Sequence, residues 1–247
     1  MIAFVGSEAT GKSTMLAETE RSLGDGVDVR RVHAGKPPRT LLTAGPNVFL
    51  PALRRLVPGQ RSTHVDARHV ERGDQDGLDL PPLLFAVRAV LLAHDRRALL
   101  REAAAAAVDG AVVLCDRYPS SATGAPDSPQ LARWHGATAG HRVLSWLVRT
   151  ETRLYAEIPP PDLVFHLWAP LEVTLQRNRD REKTEPEELV TLRHRQMGTI
   201  RFDGCPVHRV DTTRDLGQSV RDVRTAVTTV LADRGPRSDD AARTSSI

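Results

Sequence analysis

The sequence predicts an α/β fold, a doubly wound parallel sheet with helices on both faces. Apolar runs at 1–5, 111–115 and 163–167 have the unbroken hydrophobic character of parallel strands that are buried on both sides. Each run is followed by apolar residues at helical spacing. The first run also leads straight into a glycine-containing turn before a helix. Strands that alternate with helices in this way predict a three-layer α/β/α arrangement.

The remaining elements follow in chain order. Residues 34–81 contain many prolines and glycines, and their apolar residues follow neither the helical nor the strand periodicity. We therefore interpret them as an irregular insertion, either a functional lid or a disordered segment. We expect one domain over 1–234 and a small, polar, disordered tail over 235–247. The predicted strands are 1–5, 27–33, 111–115, 163–167 and 207–210; the predicted helices are 13–23, 82–108, 170–181, 185–199 and 216–232, with a long helix or broken pair from about 128 to 157.

Composition limits the partners and the compartment. The 247 residues contain two cysteines, Cys115 and Cys205, too few for a disulfide framework, so we expect a cytoplasmic protein. No apolar stretch is long enough to cross a bilayer, and we expect no membrane partner. The net charge is only +3 and aromatic residues make up 4%, so we expect no nucleic-acid partner either.

Residues 6–14 match the phosphate-loop pattern G-x-x-x-x-G-K-S between a predicted strand and a predicted helix. The glycines let successive backbone N–H groups point at a di- or triphosphate. Lys12 can reach the β- and γ-phosphates, and the Ser13 hydroxyl can ligate Mg²⁺. The predicted nucleotide phosphate site consists of Gly6, Ser7, Glu8, Ala9, Thr10, Gly11, Lys12, Ser13 and Thr14.

Two further groups of charged residues follow predicted strands. Asp116 ends the third strand, where a carboxylate can hold Mg²⁺ directly or through water, and Arg117 beside it can bind a second phosphate bidentately. Arg177 and Arg181 lie one helical turn apart, which favours a lid that neutralises the transferring phosphoryl group. The alternatives are a strand-capping ion pair for the first group and a solvated helix face for the second.

These motifs together resemble the thymidylate kinase-like branch of the P-loop nucleoside and nucleotide kinases. The matching segments are 6–14, L-L-F-A at 83–86, D-R-Y-P-S-S at 116–121, and 161–181. The resemblance implies ATP and Mg²⁺ as cofactors, a helical lid at about 177–186 and a homodimer. It also implies catalytic roles for Lys12, Asp116, Arg117, Arg177 and Arg181, donor binding by Arg177, and an acceptor site formed by Glu8 near the sugar, Phe85 on the base, Arg88, Arg117 and Ser121.

The acceptor side departs from the family pattern. His33-Ala34-Gly35-Lys36 replaces the usual R-E-P-G segment, and Ala89 stands where an arginine is expected, with Arg88 one place away. We therefore predict phosphoryl transfer to a small acceptor, first a nucleoside monophosphate and alternatively a nucleoside, sugar or other hydroxylated metabolite. A nucleotide-dependent switch is disfavoured because the sequence has no guanine-reading N-K-x-D. We expect the loop at 211–214 to read the adenine.

Overall fold

The computed structural model describes residues 1–24, 26–35, 37–38, 80–181 and 184–233. Most of the predicted insertion at 34–81, the tail from 234 onward, and residues 182–183 of the predicted lid lie outside this described part. The elements are β1 (Ile2–Val5), α1 (Lys12–Leu23), β2 (Val29–His33), α2 (Leu83–Val108), β3 (Val112–Asp116), α3 (Arg142–Ala156), β4 (Leu163–Trp168), α4 (Leu171–Arg179), α5 (Glu187–Met197), β5 (Val207–Asp211) and α6 (Leu216–Asp233).

The five strands form one parallel sheet in the order β2-β3-β1-β4-β5. This arrangement confirms the predicted α/β fold. Strand β1 is central, with Phe4 paired to Asp116 on one side and to Phe165 on the other. The chain crosses from one half of the sheet to the other between β3 and β4, so the loop after β1 lies where the strand order reverses. Ligands bind at this position in open parallel sheets.

Side chains alternate along β1 between two apolar cores, one on each face of the sheet. Ala3 and Val5 pack with α2 and α5 through residues such as Leu100 and Met197. On the opposite face the core combines β1 with α1 and α6 and includes Ile2, Phe4, Met15, Leu16, Val223 and Val227. All of these side chains are at least nine-tenths buried. The two cores fix β1 from both sides and give the loop that follows it a rigid base.

The segment from 128 to 141 differs from its predicted helix. It consists of turns and a short 3₁₀ helix at Ala132–Trp134, and regular helix begins only at Arg142. Pro129 removes one backbone N–H and restricts the residue before it, and Gly136 and Gly140 weaken helix propagation. Trp134 is nevertheless buried, in a third apolar cluster with Ala86 and Leu147 that joins α2 to α3. Among the described residues no helix has both the length and the apolar character needed to cross a membrane.

Candidate functional site

The loop at 6–14 wraps tightly between β1 and α1. Gly6 has φ of 154°, and a Cβ at this position would lie 2.5 Å from the carbonyl oxygen of Leu167 and 2.8 Å from Thr10 Oγ1. No other residue fits there without moving the neighbouring strand. Thr10 Oγ1 donates a hydrogen bond to the carbonyl of Ser7 at 2.8 Å, which closes the turn from inside. Helix α1 begins at Lys12, so the positive end of its dipole faces the concave side of the loop.

Lys12 lies inside the loop that it completes. Its ammonium group donates to the carbonyls of Gly6 at 3.0 Å and Ser7 at 2.5 Å. Burial, reinforced by the nearby charge of Arg117, lowers the pKa of Lys12 from 10.5 to about 8. Within the residues that the structure describes, this buried ammonium group bonds to two carbonyls and to no carboxylate, so it has room for an anionic partner, which a polyphosphate would supply.

Ser13 and Asp116 are the predicted magnesium ligands, and both lie at this edge of the sheet. Ser13 is exposed on the first turn of α1, and Asp116 ends β3 directly beside β1. A hydroxyl and a carboxylate are oxygen donors of the kind that Mg²⁺ takes together with substrate phosphates and water, so the donor set fits that ion. The structure adds a neighbour that the sequence did not indicate, because His33 Nδ1 lies 3.1 Å from Asp116 Oδ2.

Arg117 follows Asp116 in a backbone conformation that is uncommon for a residue with a side chain. Its φ is 70°, in the left-handed region. This conformation directs the guanidinium back over the sheet edge, where Nη1 lies 3.2 Å from Asp127 Oδ2 and Nη2 lies 3.4 Å from Glu8 Oε1. Gly35 leaves space for it, since a Cβ there would come within 2.3 Å of Arg117 Cδ. Strained backbone of this kind is concentrated at functional sites.

A cavity of about 440 Å³ opens next to Arg117. Its walls come from α2, the turns at 124–130, α3 and α5, and they include Phe85, Arg88, Arg96, Arg117, Asp127 and Arg193. The ring of Phe85 contacts Trp134 edge to face, with centroids 6.1 Å apart. The structure thus brings three predicted acceptor residues, Phe85, Arg88 and Arg117, to one cavity. An aromatic wall and several charges are lining features that suit a small polar molecule with an apolar part.

Comparison with known proteins adds a distant relative. The chain is 24% identical over 249 residues to the "Uncharacterized ATP-binding protein YghR" of Escherichia coli strain K12, an alignment that covers 95% of this chain and 90% of that protein. The protein of the same name from Escherichia coli O6:H1 strain CFT073 matches with the same identity and coverage. No protein-family model matches the chain. The similarity extends over nearly the whole chain, whose fold is consistent with that of P-loop proteins.

The predicted lid arginines have different environments. Arg177 donates from Nη1 to Thr212 Oγ1 at 3.1 Å and from Nη2 to the carbonyl of Thr212 at 2.7 Å, so it is joined to the loop expected to read adenine. Arg179 faces outward and pairs with Glu187 at 2.7 Å. Arg181 is exposed, yet after burial and Arg117 it is among the charges that lower the pKa of Lys12. Arg177 is therefore fixed against the loop after β5, and Arg181 lies close enough to Lys12 to act on its charge.

Ser121, a predicted acceptor residue, does not line this cavity. Its backbone N–H and its hydroxyl both donate to the carbonyl of Arg201, at 2.9 and 3.0 Å. These bonds hold Ser121 in a separate hollow with Phe202 and Cys205. The chain is directed there because Tyr118 is buried in the core and donates its hydroxyl to the carbonyl of Pro159. The residue match in D-R-Y-P-S-S did not indicate which way the chain turns after Tyr118.

Sequence reasoning missed Arg96, which is only 2% exposed. Its guanidinium donates to the carbonyl of Ala34 at 2.8 Å, to the hydroxyl of Tyr155 at 2.5 Å and to Asp127 Oδ1 at 3.1 Å. Asp127 therefore bonds to Arg96 and Arg117 through its two different oxygens. The available indication was an Asp-Arg pair at 95–96 on the apolar face of α2, where buried charges require partners.

Sequence reasoning also missed Arg193 on α5. Its Nη1 lies 2.7 Å from Glu8 Oε1, closer than Arg117 does. Glu8 is 8% exposed, and its Oε2 is buried with no hydrogen-bond partner in the part of the chain that the structure describes. Burial alone would raise the pKa of Glu8, but Arg193 and then Arg117 outweigh it and hold that pKa below its usual range. Glu8 is thus an ionised carboxylate of the phosphate loop, paired with two arginines that line the cavity.

Proposed function

We propose that this protein transfers the terminal phosphoryl group of ATP to a small acceptor, and that the acceptor is a nucleoside monophosphate, as in thymidylate kinases. The observation that carries the proposal is the position of Arg117. Its guanidinium contacts both Glu8 in the phosphate loop and Asp127 in the cavity wall, so one cation links the phosphate loop to the cavity. ATP as donor is further supported by the distant relative in Escherichia coli, which is named as an ATP-binding protein.

On the donor side, the backbone of residues 6–14 and Lys12 hold the β- and γ-phosphates, while Arg177 and the loop at Thr212 hold the nucleoside end. Ser13 and Asp116 would hold Mg²⁺, and the bound ion would neutralise the charge of the phosphates. An acceptor oxygen attacks the γ-phosphorus and the bond to the ADP oxygen breaks. Lys12, Arg117 and Arg181 stabilise the charge that spreads over the transferred group.

On the acceptor side, Phe85 stacks against a base, and Arg117 binds the acceptor phosphate. Phosphate monoesters lose their second proton near pH 6, so a monophosphate acceptor is already anionic at neutral pH and needs cations more than a base. A cavity of about 440 Å³ lies within the size range of small-molecule sites.

A second candidate is a kinase that phosphorylates a hydroxyl group of a nucleoside, a sugar or a related metabolite. The ionised carboxylate of Glu8 favours it, because a hydroxyl acceptor needs a carboxylate that accepts its proton and Oε2 has no hydrogen-bond partner among the described residues. Arg117 is also already paired with Asp127 and Glu8, so it holds its place without an acceptor phosphate.

The test is ADP release from ATP and Mg²⁺ with nucleoside monophosphates, nucleosides and sugars, each supplied singly. We expect one acceptor class to raise ADP release at least 100-fold above the acceptor-free rate, with a phosphorylated product visible by mass spectrometry. Lys12→Ala should abolish that increase while leaving the unfolding transition cooperative. Slow hydrolysis that no acceptor accelerates would overturn the proposal and favour a nucleotide-dependent switch.

A further inference from the structure

Arg193 connects two parts of the molecule that are far apart in the chain. It lies 185 residues after Glu8, on the helix that follows the predicted lid, and its side chain lines the acceptor cavity. A guanidinium group carries five N–H donors, so the contact with Glu8 leaves donors that can face an acceptor. Arg193 is one-third exposed, whereas the Glu8 carboxylate beneath it is almost completely buried.

The side of α5 next to Arg193 is firmly attached to the core. Val190 is completely buried and Met197 is 8% exposed. His194 places its Nε2 2.9 Å from the carbonyl of Ala169, at the end of β4. These contacts fix the rotation of α5 about its axis, and that rotation directs Arg193 toward Glu8.

The phosphate loop keeps its shape by other means. The hydrogen bond from Thr10 to Ser7 and the contacts of Lys12 with the carbonyls of Gly6 and Ser7 do not involve Glu8. Loss of the pair between Glu8 and Arg193 should therefore leave the shape of the phosphate loop intact and change only the position of the Glu8 carboxylate. A buried carboxylate oxygen without a donor is costly in free energy, so Glu8 needs a strong partner to remain there.

We propose that Arg193 is a positioning residue for the acceptor site: its contact with Oε1 holds the Glu8 carboxylate behind the cavity wall, in place for a hydrogen bond with a hydroxyl group of the acceptor. This inference rests on the proposed phosphoryl transfer. It makes α5, and not only the lid before it, a determinant of acceptor use.

The kinetic experiment compares Arg193→Gln, Arg193→Lys and the control Arg195→Gln, an exposed arginine on the same helix. With the acceptor that the wild type phosphorylates, Arg193→Gln should raise the acceptor KM by about 10-fold or more and change the ATP KM by less than about 3-fold. Arg193→Lys should recover part of the loss because it retains the charge. Arg195→Gln should behave as wild type.

In a Glu8→Gln background, Arg193→Gln should change the acceptor KM little further, because Arg193 acts through Glu8. Equal rises in both KM values would show a merely structural role and overturn the proposal.

A second measurement does not depend on activity. Thermal unfolding of wild type, Glu8→Gln, Arg193→Gln and the double variant forms a double-mutant cycle on the ligand-free protein. We expect Arg193→Gln to lower Tm by about 2–6 °C in the wild-type background and by clearly less in the Glu8→Gln background. Additive changes would overturn the proposal. If no acceptor is phosphorylated, the proposed function fails on its own, and this cycle still decides whether Arg193 holds Glu8.

Discussion

The buried ammonium group of Lys12 makes the affinity for a nucleoside triphosphate depend on pH in a direction that follows from the structure. In the ligand-free protein the pKa of Lys12 is about 8, because the group is buried and lies near Arg117. A bound polyphosphate places negative charge beside the ammonium group and returns its pKa to at least 10.5, its ordinary value. Binding above pH 8 therefore requires Lys12 to take up a proton.

The magnitude follows from the two pKa values. Between pH 7.5 and pH 9 the affinity should fall about 8-fold, with uptake of about 0.2 proton per bound nucleotide at pH 7.5 and about 0.9 at pH 9. The stability of the ligand-free protein changes with pH in the opposite direction to this affinity. The unfolded chain binds more protons at this residue between pH 8 and 10.5, so the ligand-free protein gains stability from Lys12 as the pH rises through that interval.

Isothermal titration calorimetry with a non-hydrolysable ATP analogue and Mg²⁺ measures both quantities. Titrations at each pH in two buffers of different ionisation enthalpy give the number of protons taken up. The matched control is Lys12→Arg, which keeps a positive charge that does not titrate in this range and should remove the pH dependence. Proton uptake near zero in the wild type at pH 9, or an equal slope in Lys12→Arg, would refute the assignment of Lys12 to the donor phosphates.

Three further predictions concern Arg117, the buried carboxylate of Glu151 and the C-terminal tail. Arg117→Ala should raise the acceptor KM at least 10-fold more than the ATP KM in steady-state assays, and equal losses would instead indicate a structural ion pair. Glu151→Ala should lower the free energy of unfolding by about 2–4 kcal/mol in urea titrations, because this buried carboxylate accepts the backbone N–H groups of Gln130 and Leu131; an unchanged midpoint would show that water replaces it. Deletion of 236–247 should change neither Tm nor turnover, and a large drop in Tm would show that the tail docks on the domain.

The parts of the fold that could be predicted are those set by local pattern. The apolar run before Gly6 and the helical spacing after Lys12 define a strand, a tight turn and a helix whatever the rest of the chain does. The same holds for β3 and β4, whose residues are apolar because both faces of the sheet are covered. Five strands were predicted and five are present in the described part of the chain, with bounds shifted by one or two residues.

The ion pairs in the wall of the cavity could not be predicted because the two members of each pair are distant in sequence. Arg96 and Asp127 are 31 residues apart, and Glu8 and Arg193 are 185 apart. No periodicity relates the members of such a pair. A chain with 34 lysines and arginines contains many equivalent candidates on exposed surfaces. Only the positive φ of Arg117 and the burial of Arg96 and Glu8 distinguish these residues, and both are properties of the folded chain.

The pairing of charges in this wall also decides how the two candidate acceptors would differ. Arg96, Arg117 and Arg193 share two carboxylates, Asp127 and Glu8, which leaves a net charge of +1. A monophosphate brings a charge of about −2, so it must draw a guanidinium away from its carboxylate. Salt screens the attraction between the phosphate and the exposed guanidinium groups and so weakens binding of the monophosphate. A neutral hydroxyl acceptor leaves the arginines paired and keeps the +1 for the transferred phosphoryl group. The acceptor KM should therefore rise steeply with ionic strength if the acceptor is a monophosphate and stay nearly constant if it is an alcohol.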